Sequence, residues 1–254
     1  MISKNQIKYI QSLHQKKQRE LEQCFIVEGI KLVTEFMKHS TFELLEIYAT
    51  AAFLESSQFE KKYLSTYTIC EISDDELKKI SLQSTPNAIL AIAKQNKLVL
   101  NTTYLSTGLN LYLDDIRDPG NLGTIIRIAD WFGIKQIICS PTTTELYNPK
   151  TIQASMGAVL RVNIVHETFD KIEAQLNTIP IYGAVLNGKS IYTSNLKNGI
   201  LVIGNEANGI STDILTKITQ PITIPAALNN GSESLNAANA CAIICSEFFR
   251  QRSI

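Results

Sequence analysis

The chain has 254 residues, 44% of them hydrophobic and 19% charged, with 24 basic and 24 acidic side chains. That balance fits a folded globular protein of one large domain or two ordinary ones, and it excludes the disordered and collagen-like classes. A net charge of zero leaves no global basic field.

No apolar run approaches the roughly 18 residues that a membrane-spanning helix needs. Met1 to Ile10 is polar and basic without an apolar core, so no signal peptide is expected. A cytoplasmic protein without a membrane partner follows as the expectation. The five cysteines (Cys24, Cys70, Cys139, Cys241, Cys245) are odd in number and contain no Cys-x-x-Cys, and there are three widely spaced histidines. Neither a disulfide framework nor a metal site is expected. Cys241 and Cys245, four apart on a predicted helix, read as reduced packing residues.

In chain order, residues 4–22 read as a helix with Ile7, Ile10, Leu13 and Leu21 as a broken apolar stripe. Its first part holds Lys4, Lys8, Lys16, Lys17 and Arg19 and no acid through residue 19, which is either a phosphate-facing stripe or a solvated face. Phe25-Ile26-Val27-Glu28-Gly29 is a short strand ending at a glycine, followed by a helix over about 30–39 and a strand from Leu44 to Ala49. Ser73 and Glu76 form a capping box for a helix running to Ile80, and Ala88 to Ala93 is a further strand. Residues 1–95 thus make a small α/β unit, and the polar, aperiodic stretch 96–107 reads as a linker.

Residues 108–254 alternate strand and helix: strands at Leu109–Leu113, Gln136–Cys139, Ile181–Val185 and Ile200–Ile203, helices at Asn121–Phe132, Lys150–Val159 and Leu235–Phe249. Such alternation predicts a mainly parallel sheet covered on both faces. Three of its segments are strand ends followed by loops rich in Gly, Asn and polar groups, the usual place for ligands in open α/β sheets.

The first runs from Asp114 to Arg127. Pro119-Gly120 makes a turn, Asn121 is the expected N-cap, and Leu122, Ile125, Ile126, Ala129 and Phe132 share a core face that stops at Gly133. Arg127 and Trp131, four apart, lie off that face. They read as a second buried surface, an RNA contact, or a surface arginine beside a tryptophan covered by a neighbouring domain. The second segment, Leu201 to Ile210, delivers Glu206 between Gly204 and Gly209, where Glu206 can accept from a hydroxyl or hold an arginine. The third, Ile222 to Ala240, ends a strand at Pro225 and opens the last helix with Ser234 as expected cap, and the capped-helix reading leaves Asn236 and Asn239 unexplained. No Gly-x-Gly-x-x-Gly, Walker loop or Gly-x-Ser-x-Gly occurs.

Together these segments resemble the three motifs of the SpoU/TrmH-type RNA 2′-O-ribose methyltransferases. Asn121 to Arg127 resembles the family's Asn-x-Gly-x-x-x-Arg and Gly204 to Gly209 its Gly-x-Glu-x-x-Gly; Ile224-Pro225 with Ser234-Leu235-Asn236 resembles its Ile-Pro…Ser-Leu-Asn. Phe25 to Gly29 resembles the accessory RNA-binding domain of the ribosomal-RNA members, so nearly the whole chain is covered. The loop Ala226-Ala227-Leu228-Asn229-Asn230-Gly231-Ser232-Glu233 departs from the family's shorter Met- and Gly-containing form, and Ala237 stands where the family often has Val.

The resemblance implies an α/β fold in which residues 108–254 form a trefoil-knotted methyltransferase domain behind a smaller RNA-binding domain. Knots are rare in chain topology, and nothing in periodicity would reveal one. It further implies a homodimer with the active site near the subunit interface, S-adenosyl-L-methionine as cofactor, and RNA, preferentially ribosomal RNA, as substrate. By position, Leu186, Gly204, Ile224 and Leu235 would contact the cofactor, while Arg127, Asn121, Glu206, Ser234 and Asn236 would form the catalytic pocket. Arg127 would act as a phosphate-assisted base or as stabiliser of the developing oxyanion. The alternatives are a transfer-RNA substrate, against which stands the lack of basic helical extensions, and a non-catalytic RNA-binding or ribosome-assembly factor on the same fold.

Overall fold

The structure is a computed structural model and describes residues 2–39, 41–175, 179–227, 231 and 233–252. Elements follow in chain order as α1 (Lys4–Ser12), α2 (Lys16–Glu22), β1 (Cys24–Glu28), α3 (Ile30–Lys38), β2 (Leu44–Thr50), α4 (Ala51–Glu55), β3 (Ile69–Ile72), α5 (Asp74–Ile80) and β4 (Ile89–Lys94). There follow α6 (Thr102–Thr107), β5 (Leu109–Leu113), α7 (Pro119–Trp131), β6 (Gln136–Cys139), α8 (Pro149–Ser155), β7 (Asn163–His166), α9 (Phe169–Glu173) and β8 (Ile181–Ser190). The last are β9 (Gly199–Ile203), α10 (Thr212–Leu215), β10 (Gln220–Thr223) and α11 (Ala237–Arg252).

The chain divides into two compact units: residues 1–97 with 147–160, and residues 98–146 with 161–254. The first holds a four-stranded sheet in the order β1-β4-β2-β3, where β2 and β3 run parallel and the other pairs antiparallel. Ile10, Leu13, Ile26, Tyr48, Leu77, Ile80, Leu90 and Ile92 pack one core of this unit. Ser73 and Glu76 make the expected reciprocal capping box on α5. Tyr147 at the start of the 147–160 segment stacks against Phe25 at 4.7 Å between ring centroids and donates to the Asn96 carbonyl at 2.9 Å. The helix expected over 4–22 is two helices, α1 and α2. Leu13 and Arg19 are both buried at the corner, and Arg19 Nη1 donates to the Leu13 carbonyl at 2.7 Å. Arg19 therefore leaves the basic stripe, whereas Lys4, Lys8, Lys16 and Lys17 are exposed.

The second unit is built on a six-stranded, all-parallel sheet in the order β10-β8-β9-β5-β6-β7. Its central strands are mostly apolar because both faces are covered; Leu111, Ile137, Ile138, Ile200, Leu201 and Val202 are fully buried. Each such side chain contributes about 1.5–3 kcal/mol relative to exposure. The stretch 96–107, read as a linker, contains α6, whose Leu105 enters this core with Leu98 and Leu100 packed against it. Strand β7 carries only four residues and escaped detection as a run. The 150–159 helix is shorter than expected: it stops at Ser155, where Met156 and Gly157 take positive φ of 51° and 87°.

β8 pairs with β9 only through Ile181–Gly183 and runs on beyond it, turning its pairing to β10 with a register shift between Pro221 and Ile222. At this crossing the backbones touch: a Cβ on Gly188 would lie 2.5–2.7 Å from the Ile222 backbone. Gly188→Ala should therefore lower stability by about 2–3 kcal/mol, since backbone and not a side chain must give way. An unchanged urea midpoint would contradict this.

The C-terminal helix is tied down at its far end. The Glu247 carboxylate accepts from Arg250 at 2.6 and 2.8 Å and from Gln251 at 2.7 Å, and Gln251 also holds the Leu196 amide and the Ser194 carbonyl. The Arg250 and Gln251 hydrogen bonds pull the Glu247 carboxyl down to about 2. A carboxyl depressed in the folded state stabilises above its unfolded value, roughly 4.3, and loses that contribution as pH falls through the folded value. The stability advantage of wild type over Glu247→Gln should be full near neutral pH and shrink between pH of about 4 and 2, as read by thermal unfolding across that range.

Candidate active site

The order of the sheet puts β6 and β9 on opposite sides of β5, so the loops after β5 and β9 open at one edge, where the connections change direction. That edge is the general ligand crevice of open α/β sheets. Strand β5 ends at Leu113, and the Asp114 amide continues the ladder to the Ile203 carbonyl at 2.9 Å.

Helix α7 begins two residues earlier than expected. Pro119 occupies its first turn, and Asp118, not Asn121, is the N-cap, its carboxylate accepting from the Asn121 amide at 2.8 Å. Proline's fixed φ suits the first helical position, which places the cap one residue before it. The correction has a consequence: the Asn121 side chain is released from capping. At α11 the expected cap Ser234 is likewise replaced. Asn236 Oδ1 accepts from the Ala238 and Asn239 amides at 3.0 and 3.3 Å, the geometry of an N-cap.

The freed groups meet. Asn236 Nδ2 donates to Asn121 Oδ1 at 3.0 Å, and Asn121 Nδ2 donates to Glu206 Oε1 in a short hydrogen bond. Three segments separated by 85 and 115 residues are thereby joined through side chains that are otherwise open to solvent. Gly204, at the end of β9, admits no side chain, because a Cβ there would lie 2.3 Å from the Gly209 carbonyl carbon and 2.4 Å from its oxygen.

Two of the expected residues stand outside this relay. Arg127 is exposed and has no hydrogen bond or ion pair among the described residues; with Thr124 and Trp131, which is 83% exposed, it forms the solvent-facing stripe of α7 opposite Leu122, Ile125, Ile126 and Ala129. Ser234 is exposed and also has no hydrogen bond among the described residues. Sequence reasoning assigned no role to Asp118 or to Asn205. For Asp118 the signal was present, since Asp-Pro is a sharper helix start than Asn two residues further on.

The residues placed at a cofactor are apolar and left uncovered. Leu186 is 71% exposed on the part of β8 that outruns β9, Leu235 is 47% exposed just before α11, and Ile224 is half-buried. Thr223 Oγ1 donates to the Leu186 carbonyl at 3.0 Å, bringing Leu186 beside the chain that carries Ile224. Large apolar side chains flanked by backbone fit the adenine ring that S-adenosylmethionine offers. Of the loop at 226–233, whose length departs from the resembled family, residues 228–230 and 232 lie outside the described residues.

Comparison with known proteins places the chain in a family. Residues 108–246 match the SpoU rRNA Methylase family and residues 4–91 the MRM3-like substrate binding domain. The 23S rRNA (guanosine(2553)-2′-O)-methyltransferase RlmP of Bacillus subtilis is 29% identical over 95% of both chains. A structure described as an RNA methyltransferase of the TrmH family from Porphyromonas gingivalis is 38% identical over 99% of both chains, with a TM-score of 0.83. An AdoMet-bound rRNA methyltransferase from Sinorhizobium meliloti is 25% identical over 98% of this chain and 97% of the other, with a TM-score of 0.85. The fold of the second unit is thus the trefoil-knotted α/β fold of these enzymes, accompanied by a smaller unit built mainly from the N-terminal residues. The chain belongs to the SpoU rRNA methylase family.

Proposed function

We propose that this protein is an S-adenosyl-L-methionine-dependent methyltransferase that modifies a ribose 2′-hydroxyl in ribosomal RNA. The observation that carries the proposal is the Glu206–Asn121–Asn236 relay, which draws the three motif segments together at the strand-end crevice. Leu186, Gly204, Ile224 and Leu235 would hold the cofactor, their apolar character suiting its adenosyl part. When bound, S-adenosylmethionine supplies an electrophilic methyl group on a sulfonium centre.

A ribose hydroxyl is a weak nucleophile, and the protein must orient it and stabilise the charge that develops on its oxygen. Arg127 does this as a hydrogen-bond donor and holds a neighbouring phosphate. A guanidinium is a poor proton acceptor, so electrostatic stabilisation is the better role for it than that of base, and the proton that the hydroxyl loses passes to solvent water at this open site. Glu206 and Asn121 orient the ribose side of the pocket, and Ser234 and Asn236 complete it. The exposed Lys4, Lys8, Lys16 and Lys17 supply phosphate contacts from the substrate-binding domain. The enzyme works in the cytoplasm as a homodimer, in which a second copy covers the Arg127–Trp131 face of α7. Among the described residues no helix is long and apolar enough to cross a membrane.

Arg127→Ala should lower methyl transfer by about 100-fold or more while leaving S-adenosylmethionine affinity within about twofold. The assay is incorporation of radiolabelled methyl into ribosomal RNA from a strain lacking the gene. Near-normal turnover in the variant removes Arg127 from the chemistry. No incorporation by wild type, with tight RNA binding, favours a non-catalytic assembly factor instead.

A further inference from the structure

We infer that Asn205 is a positioning residue that sets Glu206 against Asn121, an inference resting on the function proposed above. Glu206 is exposed, and a bond from an exposed carboxylate to a residue 85 positions away forms only if the two backbones are held in place. Asn205 does the holding with both ends of its amide. Its Oδ1 accepts from the Ala207 and Asn208 amides at 2.9 and 3.1 Å, curling the loop around Glu206. Its Nδ2 donates to the Asp115 carbonyl at 2.9 Å, on the loop that leads into α7 and Asn121. Its backbone closes a two-way bridge with Gly209, at 3.0 and 2.9 Å, so that Glu206, Ala207 and Asn208 form the tip of a small closed loop.

The Asp115 side of this clamp is itself fixed. Asp115 takes a positive φ of 58°, which a non-glycine residue holds only when its surroundings demand it. Its amide donates to Ser140 Oγ at 2.9 Å, and its carboxylate is gripped by Arg117 at 3.0 and 3.1 Å. Next to it, buried Asp114 accepts from the Ser211 amide at 2.7 Å. The Asp114-Asp115 pair therefore laces the Glu206 loop at two points, Asn205 before the carboxylate and Ser211 after it. Among single side chains, an asparagine has both the acceptor that shapes the loop and the donor that anchors it.

The test is steady-state kinetics of methyl transfer to ribosomal RNA for wild type, Asn205→Ala, Asn205→Asp, Glu206→Ala and the double variant Asn205→Ala/Glu206→Ala, with thermal unfolding of each. Asn205→Asp keeps the acceptor that shapes the loop and loses the donor that anchors it; Glu206→Ala removes the acceptor that Asn121 donates to. We expect both single Asn205 variants to lower kcat about 10- to 100-fold, with KM for RNA and affinity for S-adenosylmethionine within about twofold. The double variant should be no slower than Glu206→Ala alone, because Asn205 acts through Glu206. Additive losses in the double variant, a loss confined to KM, full activity in either Asn205 variant or in Glu206→Ala, or unfolding of both Asn205 variants would each overturn the role. If wild type transfers no methyl group, the proposed function falls as well; if wild type is active and the Asn205 variants equal it, only the clamp falls.

Discussion

The site depends on one side-chain amide using both of its ends. Asn121 donates through Nδ2 to Glu206 and accepts through Oδ1 from Asn236. The orientation is not arbitrary. Asn236 Oδ1 is committed to the first turn of α11, so its Nδ2 is the end that faces Asn121. Asn121 must then present its oxygen to Asn236 and its nitrogen to the carboxylate; the reverse would set donor against donor at Asn236 and oxygen against oxygen at Glu206. Removing Asn121 leaves both other groups without their partner, whereas removing Glu206 or Asn236 frees only one end of the Asn121 amide. Because the relay is open to solvent, its strength lies in the backbones that deliver it and not in burial.

Those backbones are fixed by the helix starts and strand ends around them. Asp118 takes the cap of α7 and frees Asn121; Gly204 lets β9 end in backbone contact with Gly209; the all-parallel register of β5 with β9 brings the two loops to one edge. On the far side of β9, β8 continues past its neighbour to meet β10 where Gly188 faces the Ile222 backbone. The sheet contributes stability through its buried apolar strands, while the relay residues sit in the helix starts and loops beyond the strand ends. Trp131, Leu186 and Leu235 are large apolar side chains left exposed, and Arg127 has no hydrogen bond or ion pair among the described residues.

Much of this was legible in the sequence, for identifiable reasons. The strands Leu109–Leu113 and Ile200–Ile203 are apolar apart from Asn110, and the α/β alternation around them predicts a parallel sheet. The capping box of Ser73 and Glu76 and the stop at Gly133, with φ of 68°, depend on residues a few positions apart and so could be read locally. Asn121 and Asn236 were placed in the pocket by resemblance, but their bond spans 115 residues and no local pattern carries it. The two caps were misassigned because Asp118 and Asn121, and Ser234 and Asn236, are all good cap residues and only the actual first turn distinguishes them. The break between α1 and α2 was hidden because Arg19, expected on a solvated face, is buried against the Leu13 carbonyl. The packing of residues 147–160 with the first unit was invisible for a different reason: it is made by ring contacts such as Phe25 with Tyr147, far apart in sequence.

The central claim is that three distant segments meet to enclose one sulfonium cofactor. Calorimetric titration of S-adenosylmethionine, and of its demethylated product, into the purified full-length protein tests it most directly. The account predicts saturable binding of both at one site per chain, retained when Arg127 is replaced by alanine. Absence of affinity for either compound would contradict it.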